Sequence, residues 1–230
     1  MNARVVRIGK TVHRSTGPHS PFVHALLRYL EQAEFGGAPR FIGIDEDGLE
    51  ILSYIEGEVP HRSMDWSLEQ LMAVTQLMRQ MHDAVAGSSL AQGEETVCHL
   101  DIAPWNVVLQ NDQPVAFIDF DDAAPGSRLD DLGYFFWVFL KLGDDTSPHV
   151  QRERMRILCD AYGISGDQTS LLHALQRQQE RVLRRREQQA AIQGNAELRA
   201  SAEERVGRIR NEMVWLEAHY DELAAFLHKC

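Results

Sequence analysis

The sequence predicts an α+β, bilobal protein: a small antiparallel-sheet lobe with one helix over residues 1–57, then a larger, mainly helical lobe over 58–230. Two observations predict this class. Short β-branched segments punctuated by Gly turns crowd the region before Gly57, whereas apolar residues recur at helical spacing after it. A third, VVLQNDQPVAFIDF, places a lone pair of strands inside the helical part. With 230 residues, 44% of them hydrophobic, the chain can bury a core as one large domain or two small lobes.

Val5 to Arg14 reads as two short strands about a Gly9-Lys10 turn. Ser20-Pro21 supplies an N-cap and a first-turn proline for a helix with Val23, Leu26, Leu27 and Leu30 on one face, stopped by Gly36-Gly37. RFIGI and LEILSYI flank the hairpin signal Asp47-Gly48, so the order so far is β-β-α-β-β. Ser67 with Gln70 forms a capping box ahead of Leu68, Leu71, Val74, Met78, Met81 and Val85. The paired strands near Val107 turn at Asn111-Asp112-Gln113, and helical patterns resume from Leu129. The last pattern, Val206, Ile209, Met213, Leu216, Tyr220, Leu223 and Leu227, fits a coiled-coil seam or, preferably at three heptads, packing on the lobe's own core. The expected state is a monomer or weak homodimer.

A formal charge of −11 argues against nucleic acid and favours neutral or cationic small molecules. The Arg-rich stretch from Glu180 to Arg210 interleaves Glu and Gln, as a solvated helix face does. The N-terminus lacks an apolar signal core and no run of apolar residues is long enough to span a bilayer, so the expected location is cytoplasmic. Cys98, Cys159 and Cys230 are widely spaced and odd in number, which reads as reduced thiols.

The chemistry concentrates in HLDIAPWN, His99 to Asn106, and in AFIDFDDAAPG, Ala116 to Gly126. Folding the intervening hairpin brings Asp101 and Asn106 to the same end as Asp119, Asp121 and Asp122, with Arg128 the only basic residue nearby in sequence. Such a cluster of acids calls for a cation, and magnesium is the natural candidate. Phosphoryl transfer needs an Asp facing the acceptor hydroxyl and an Asn and a second Asp on the metal, and these types occur in that order.

On His99-x-Asp101-x4-Asn106, Ile118-Asp119-Phe120 and the connector ILSYIEGE, the chain resembles the aminoglycoside phosphotransferase and choline kinase group of the protein-kinase-like fold, most closely its short bacterial members. The resemblance runs from Val5 to Trp137. It implies an ATP- and Mg2+-dependent phosphotransferase with an alcohol acceptor on a polar or cationic small molecule. Asp101 would be the catalytic base or hydroxyl-orienting group, Asn106 and Asp119 the metal ligands, and His99 a brace for the loop. Backbone groups around Ser53 to Ile55 would meet the adenine edge. Asp131 is either the buried acid that ties down the catalytic loop or a plain helix-start Asp. Trp105 either stacks on a substrate ring or plugs its loop, packing being the commoner role.

The sequence departs from that pattern on the nucleotide side. Four residues precede the first strand, and no Gly-rich loop is visible. The strand Lys is replaced by His13 or Arg14, of which Arg14 can fork phosphate oxygens. The following helix carries its acids, Glu31 and Glu34, only at its end, and Leu100 stands where a small or polar residue is usual. Three readings follow: a kinase, which leads; a kinase-like binding or immunity protein that sequesters an antibiotic or peptide; and a two-metal hydrolase on Asp101, Asp119 and Asp121.

Overall fold

A computed structural model describes residues 5–61, 64–144, 147–164 and 169–227. The chain forms two compact units, Met1–Arg128 and Leu129–Cys230. The expected lobe boundary at Gly57 falls inside the first unit, between its larger sheet and its longest helix.

In the first unit β1 (Val5–Ile8) and β2 (Thr11–Ser15) pair across Gly9-Lys10, where Gly9 has the positive φ of 61° that the tight turn demands. β3 (Phe41–Ile44) and β4 (Leu49–Ser53) complete an antiparallel sheet of order β1-β2-β4-β3. The Asp45 carboxylate accepts the Asp47 and Leu49 N–H groups at 3.0 and 2.9 Å and so shapes the second hairpin. Along β4 burial alternates, with Glu50 and Leu52 on the inner face. The edge strand β1 is exposed along its whole length.

Helix α1 (Ser20–Gln32) buries Val23, Leu26, Leu27 and Leu30, as the spacing predicts. Its ends differ from the prediction. His19 is the N-cap residue, while Ser20 is already helical and its Oγ accepts the Gly17 N–H at 2.9 Å. At the other end Ala33 closes the helix on Tyr29, and Glu34 turns left-handed at φ 59° before the glycines are reached.

Helix α2 (Leu68–Val85) starts at the Ser67–Gln70 capping box and buries Leu71, Val74, Met78, Met81 and Val85. It packs on β5 (Thr96–Cys98) and on β7 (Gln113–Phe117), the partner of β6 (Val107–Gln110). The β6–β7 turn is carried by Asn111 and Asp112, both at positive φ, residue types that tolerate it. β5 also pairs with β8 (Ala124–Gly126), a ladder three residues long that the sequence pattern does not announce.

The second unit is helical: α3 (Arg128–Phe139), α4 (Pro148–Tyr162), α5 (Thr169–Ile192), α6 (Ala196–Ala218) and α7 (Tyr220–Leu227). Gly133 of α3 lies so close to α5 that a Cβ there would sit 2.6 Å from the Leu175 backbone nitrogen. The apolar series expected on one last helix is split at His219 between α6 and α7. Val206, Ile209 and Leu216 are buried and α6 packs along α5, in line with the core-packing reading. The Arg-rich faces are laced by Arg184–Glu180 and Arg210–Glu187 pairs. Cys98 and Cys159 are buried thiols outside any disulfide among the described residues, and Cys230 lies outside those residues. Among the described residues no helix is long and apolar enough to cross a membrane.

Candidate active site

All six predicted site residues lie in the first unit. β5 delivers His99, which is fully buried. Its Nδ1 accepts the Asp101 N–H at 3.3 Å, and an accepting nitrogen carries no proton. The ring proton therefore sits on Nε2, which donates to the Ile118 carbonyl at 3.1 Å. The ring packs against Phe120 with centroids 4.5 Å apart. His99 thus ties the Asp101 loop to the end of β7, the bracing role the resemblance implies.

Leu100 adopts φ 61°, a left-handed conformation that costs an unbranched side chain on the order of 1 kcal/mol and turns the chain sharply into Asp101. A single turn of 3-10 helix, Pro104–Asn106, follows. Asn106 is 3% exposed, and its Nδ2 donates to both the Asp101 carbonyl at 2.9 Å and Asp101 Oδ2 at 2.8 Å. The donor fixes which way round the amide lies. The Asn106 Oδ1 has no hydrogen-bond partner among the described residues, and Asn106 lines a cavity. The two loops are joined again by the Ile118 N–H on the Asn106 carbonyl at 2.9 Å.

Asp119 follows at φ 65° and ψ 63°, a left-handed residue that bends the end of β7 into the turn Phe120–Asp122. Asp and Asn visit this region at low cost, which suits a position that must aim a carboxylate out of a strand. Arg14 on β2 reaches this turn, with Nη1 2.9 Å from Asp119 Oδ1 and Nη2 2.6 Å from Asp121 Oδ1. Its Nε donates to Glu50. Arg14 and Glu50 are directly opposed in the β2–β4 ladder, and His24 of α1 binds the other Glu50 oxygen. Arg128, the expected neutraliser, instead pairs with Asp83 at 2.6 Å and Glu95 at 3.1 Å.

These contacts are unequal. Glu50 is 1% exposed, so removing its partner would strand a buried charge at a cost of about 3–5 kcal/mol. The Asp119 and Asp121 side chains are 48% and 62% exposed, and such pairs contribute about 1 kcal/mol or less each. Burial alone would lower the Arg14 pKa, but Asp121, Glu50 and Asp119 outweigh it and hold the guanidinium firmly charged. The Asp121 carboxyl is nevertheless pushed above the usual range, by partial burial first and by Asp119, against the pull of Arg14. One guanidinium does not neutralise three carboxylates. Asn106 lines the same cavity as Asp119, and an amide oxygen and a carboxylate are hard ligands of the kind a divalent cation of the magnesium type takes.

The cavity has a volume of about 330 Å³, within the range of small-ligand sites. Val12, Leu52, Val108 and Ile118 contribute apolar wall, and Arg14, Asn106 and Asp119 are its principal polar groups. Ser53 and Ile55 also line it, whereas Asp101 does not and is linked to it through Asn106. The Ser53 hydroxyl is engaged by the Arg40 N–H at 2.8 Å, so its side chain is structural. The Ile55 N–H has no partner among the described residues. Gly57, at φ 141°, brings the connector onto β6, where a Cβ would stand 2.4 Å from the Leu109 carbonyl. Trp105 is half-buried in the same wall, so its ring can meet a ligand while it packs its loop.

Sequence reasoning missed Glu50. The signal was present, because a Glu on the Leu52 side of an alternating strand is an inward-facing charge and requires a buried cation. Asp131 is buried in the first turn of α3.

The model of the phosphotransferase enzyme family matches residues 3–162. The trifolitoxin immunity protein of Rhizobium leguminosarum bv. trifolii is 35% identical over 188 aligned residues, 71% of this chain and 72% of that protein. Among solved structures, a choline/ethanolamine kinase family protein from Mesorhizobium loti superposes with a TM-score of 0.64 at 15% identity, covering 100% of this chain and 90% of the other. A spectinomycin phosphotransferase, solved with ADP and spectinomycin, gives 0.60 at 13%, covering 100% and 91%. These superpositions identify the fold as protein-kinase-like. The chain belongs to the phosphotransferase enzyme family.

Proposed function

We propose that the protein is a magnesium-dependent kinase that moves the γ-phosphoryl group of ATP to a hydroxyl of a small polar or cationic molecule. One observation carries the reading: Asn106 holds Asp101 by a 2.8 Å bond and at the same time lines, with Asp119 and Ile55, a largely apolar cavity of about 330 Å³. Asp101 orients and deprotonates the acceptor hydroxyl, its carboxylate plane fixed by Asn106 and its loop by His99. The base lies against Val12, Leu52 and Ile118, with the Ile55 N–H donating to its edge. Arg14 meets the phosphates. Asn106 and Asp119 hold magnesium, which when bound neutralises charge on the transferring group. In this reading residues 1–57 act as a reduced nucleotide-side lobe and residues 58–230 carry the catalytic and metal loops. The charge of −11 favours an amine-bearing acceptor over nucleic acid, and the use of ATP fits a cytoplasmic location.

A second reading has its own support. Arg14 already spans Asp119 and Asp121, and the two-residue β1–β2 turn offers few backbone donors to phosphate. Both fit a binding protein that sequesters an antibiotic or peptide, and the relative from Rhizobium is an immunity protein by name.

Thermal unfolding with ATP and magnesium, followed by a turnover assay against a panel of aminoglycosides and amino alcohols, separates the two. The kinase reading expects a raised midpoint with nucleotide and a phosphorylated product. Stabilisation by an antibiotic or peptide alone, with none by nucleotide, would replace it with the binding reading.

A further inference from the structure

Arg14 makes three ion pairs at once, and they differ in permanence. Through Nε it is fixed to Glu50, which is almost wholly buried and is held from the other side by His24. Through Nη1 and Nη2 it closes on Asp119 and Asp121, whose side chains are about half exposed. The first contact has nowhere else to go. The other two compete with water and with any cation that arrives.

Asp119 lines the same cavity as Asn106, which is 3% exposed and whose Oδ1 has no partner among the described residues, and Asp121 is joined to Asp119 through Arg14. A divalent cation held there by oxygen atoms would have to use carboxylate lone pairs that the guanidinium now occupies. Phosphate offers Arg14 an alternative partner of equal or better geometry, because the guanidinium fork matches two phosphate oxygens as well as it matches two carboxylates. Turning about its Nε–Glu50 bond, Arg14 could exchange one for the other without leaving β2.

We propose that Arg14 and a divalent cation are alternative occupants of the Asp119–Asp121 carboxylate pair, so that the ligand-free protein excludes the metal. A phosphate-bearing ligand admits it by drawing the guanidinium away. Glu50 is the positioning residue that keeps Arg14 attached in both states. The inference takes the identity of the ligand from the transferase reading, but its test needs no nucleotide.

Mn2+ is titrated into the full chain without nucleotide, and the free ion is followed by its electron paramagnetic resonance signal. The wild type is expected to bind weakly, and Arg14→Gln about ten-fold or more tighter, since two competing exposed ion pairs are removed. Arg14→Lys, which reaches a single carboxylate, falls between them. Arg14→Gln leaves Glu50 buried without its cation, so the pair Arg14→Gln with Glu50→Gln serves where the single variant fails to fold. Equal affinity in wild type and variants overturns the proposal, and so does absence of Mn2+ binding in all of them. Neither result bears on whether ATP binds, which the nucleotide arm of the preceding experiment decides separately.

Discussion

The two ends of the candidate site are built on different principles. At the Asp101 end the groups are fixed by short-range backbone chemistry: His99 between two main-chain groups, and Asn106 between a carbonyl and a carboxylate. No change of partner is available without unfolding the loop. At the Arg14 end the groups come from β2, β4 and the turn after β7, and Arg14 is joined to that turn through side-chain ion pairs. Position is guaranteed at one end and exchangeable at the other. That division suits a reaction in which the acceptor must be held still while a charged donor enters and leaves.

The largest expected effect breaks the first end. Asp101→Asn keeps the volume and removes the base, so product formation should fall by about 10²–10⁴-fold while the ATP-induced midpoint shift persists. A variant that retains turnover would remove Asp101 from the chemistry. At the second end Glu50→Ala should cost about 3–5 kcal/mol in urea unfolding, because Arg14 loses its buried partner. A loss of a few tenths would mean that the exposed carboxylates alone hold Arg14.

Gly57→Ala tests the wall shared by both ends. The left-handed φ and the 2.4 Å approach to the Leu109 carbonyl predict a loss of more than about 1 kcal/mol, together with weaker nucleotide binding as the connector moves. The smallest effect sharpens the contrast from outside the site. Glu212 in the second unit accepts the Trp137 indole N–H at 2.9 Å, and burial pushes its carboxyl above the usual range. A raised folded-state pKa gives stability that is complete below the unfolded-state value and is lost as pH rises through the folded one. Glu212→Gln keeps the acceptor and should therefore be more stable than wild type in neutral buffer, by about 1 kcal/mol or less, with the advantage vanishing in mild acid. Denaturant midpoints at the two pH values check it.

The same division explains what the sequence disclosed. That Asp101, Asn106 and Asp119 come close together was legible because they flank one short hairpin, whose apolar strands β6 and β7 pair across a polar turn. The β-β-α-β-β order was legible from Gly turns and β-branched runs. Partners that meet across distant strands leave a fainter trace. Arg14 could be named, but not that it spans Asp119 and Asp121, more than a hundred positions away. Boundaries fared similarly: the start of α1 moved by one residue because a Ser before Pro reads as a cap, and the break at His219 carries neither Gly nor Pro. β5 and β8 are too short to show a period.

The register that faces Arg14 with Glu50 has an architectural corollary. Both residues belong to one ladder, so their spacing is set by main-chain hydrogen bonding and would survive a tilt or slide of α1. Only the imidazole of His24 would be carried off. The anchor for the guanidinium is thus part of the platform itself, and substitutions on the helix surface can drift without unseating it.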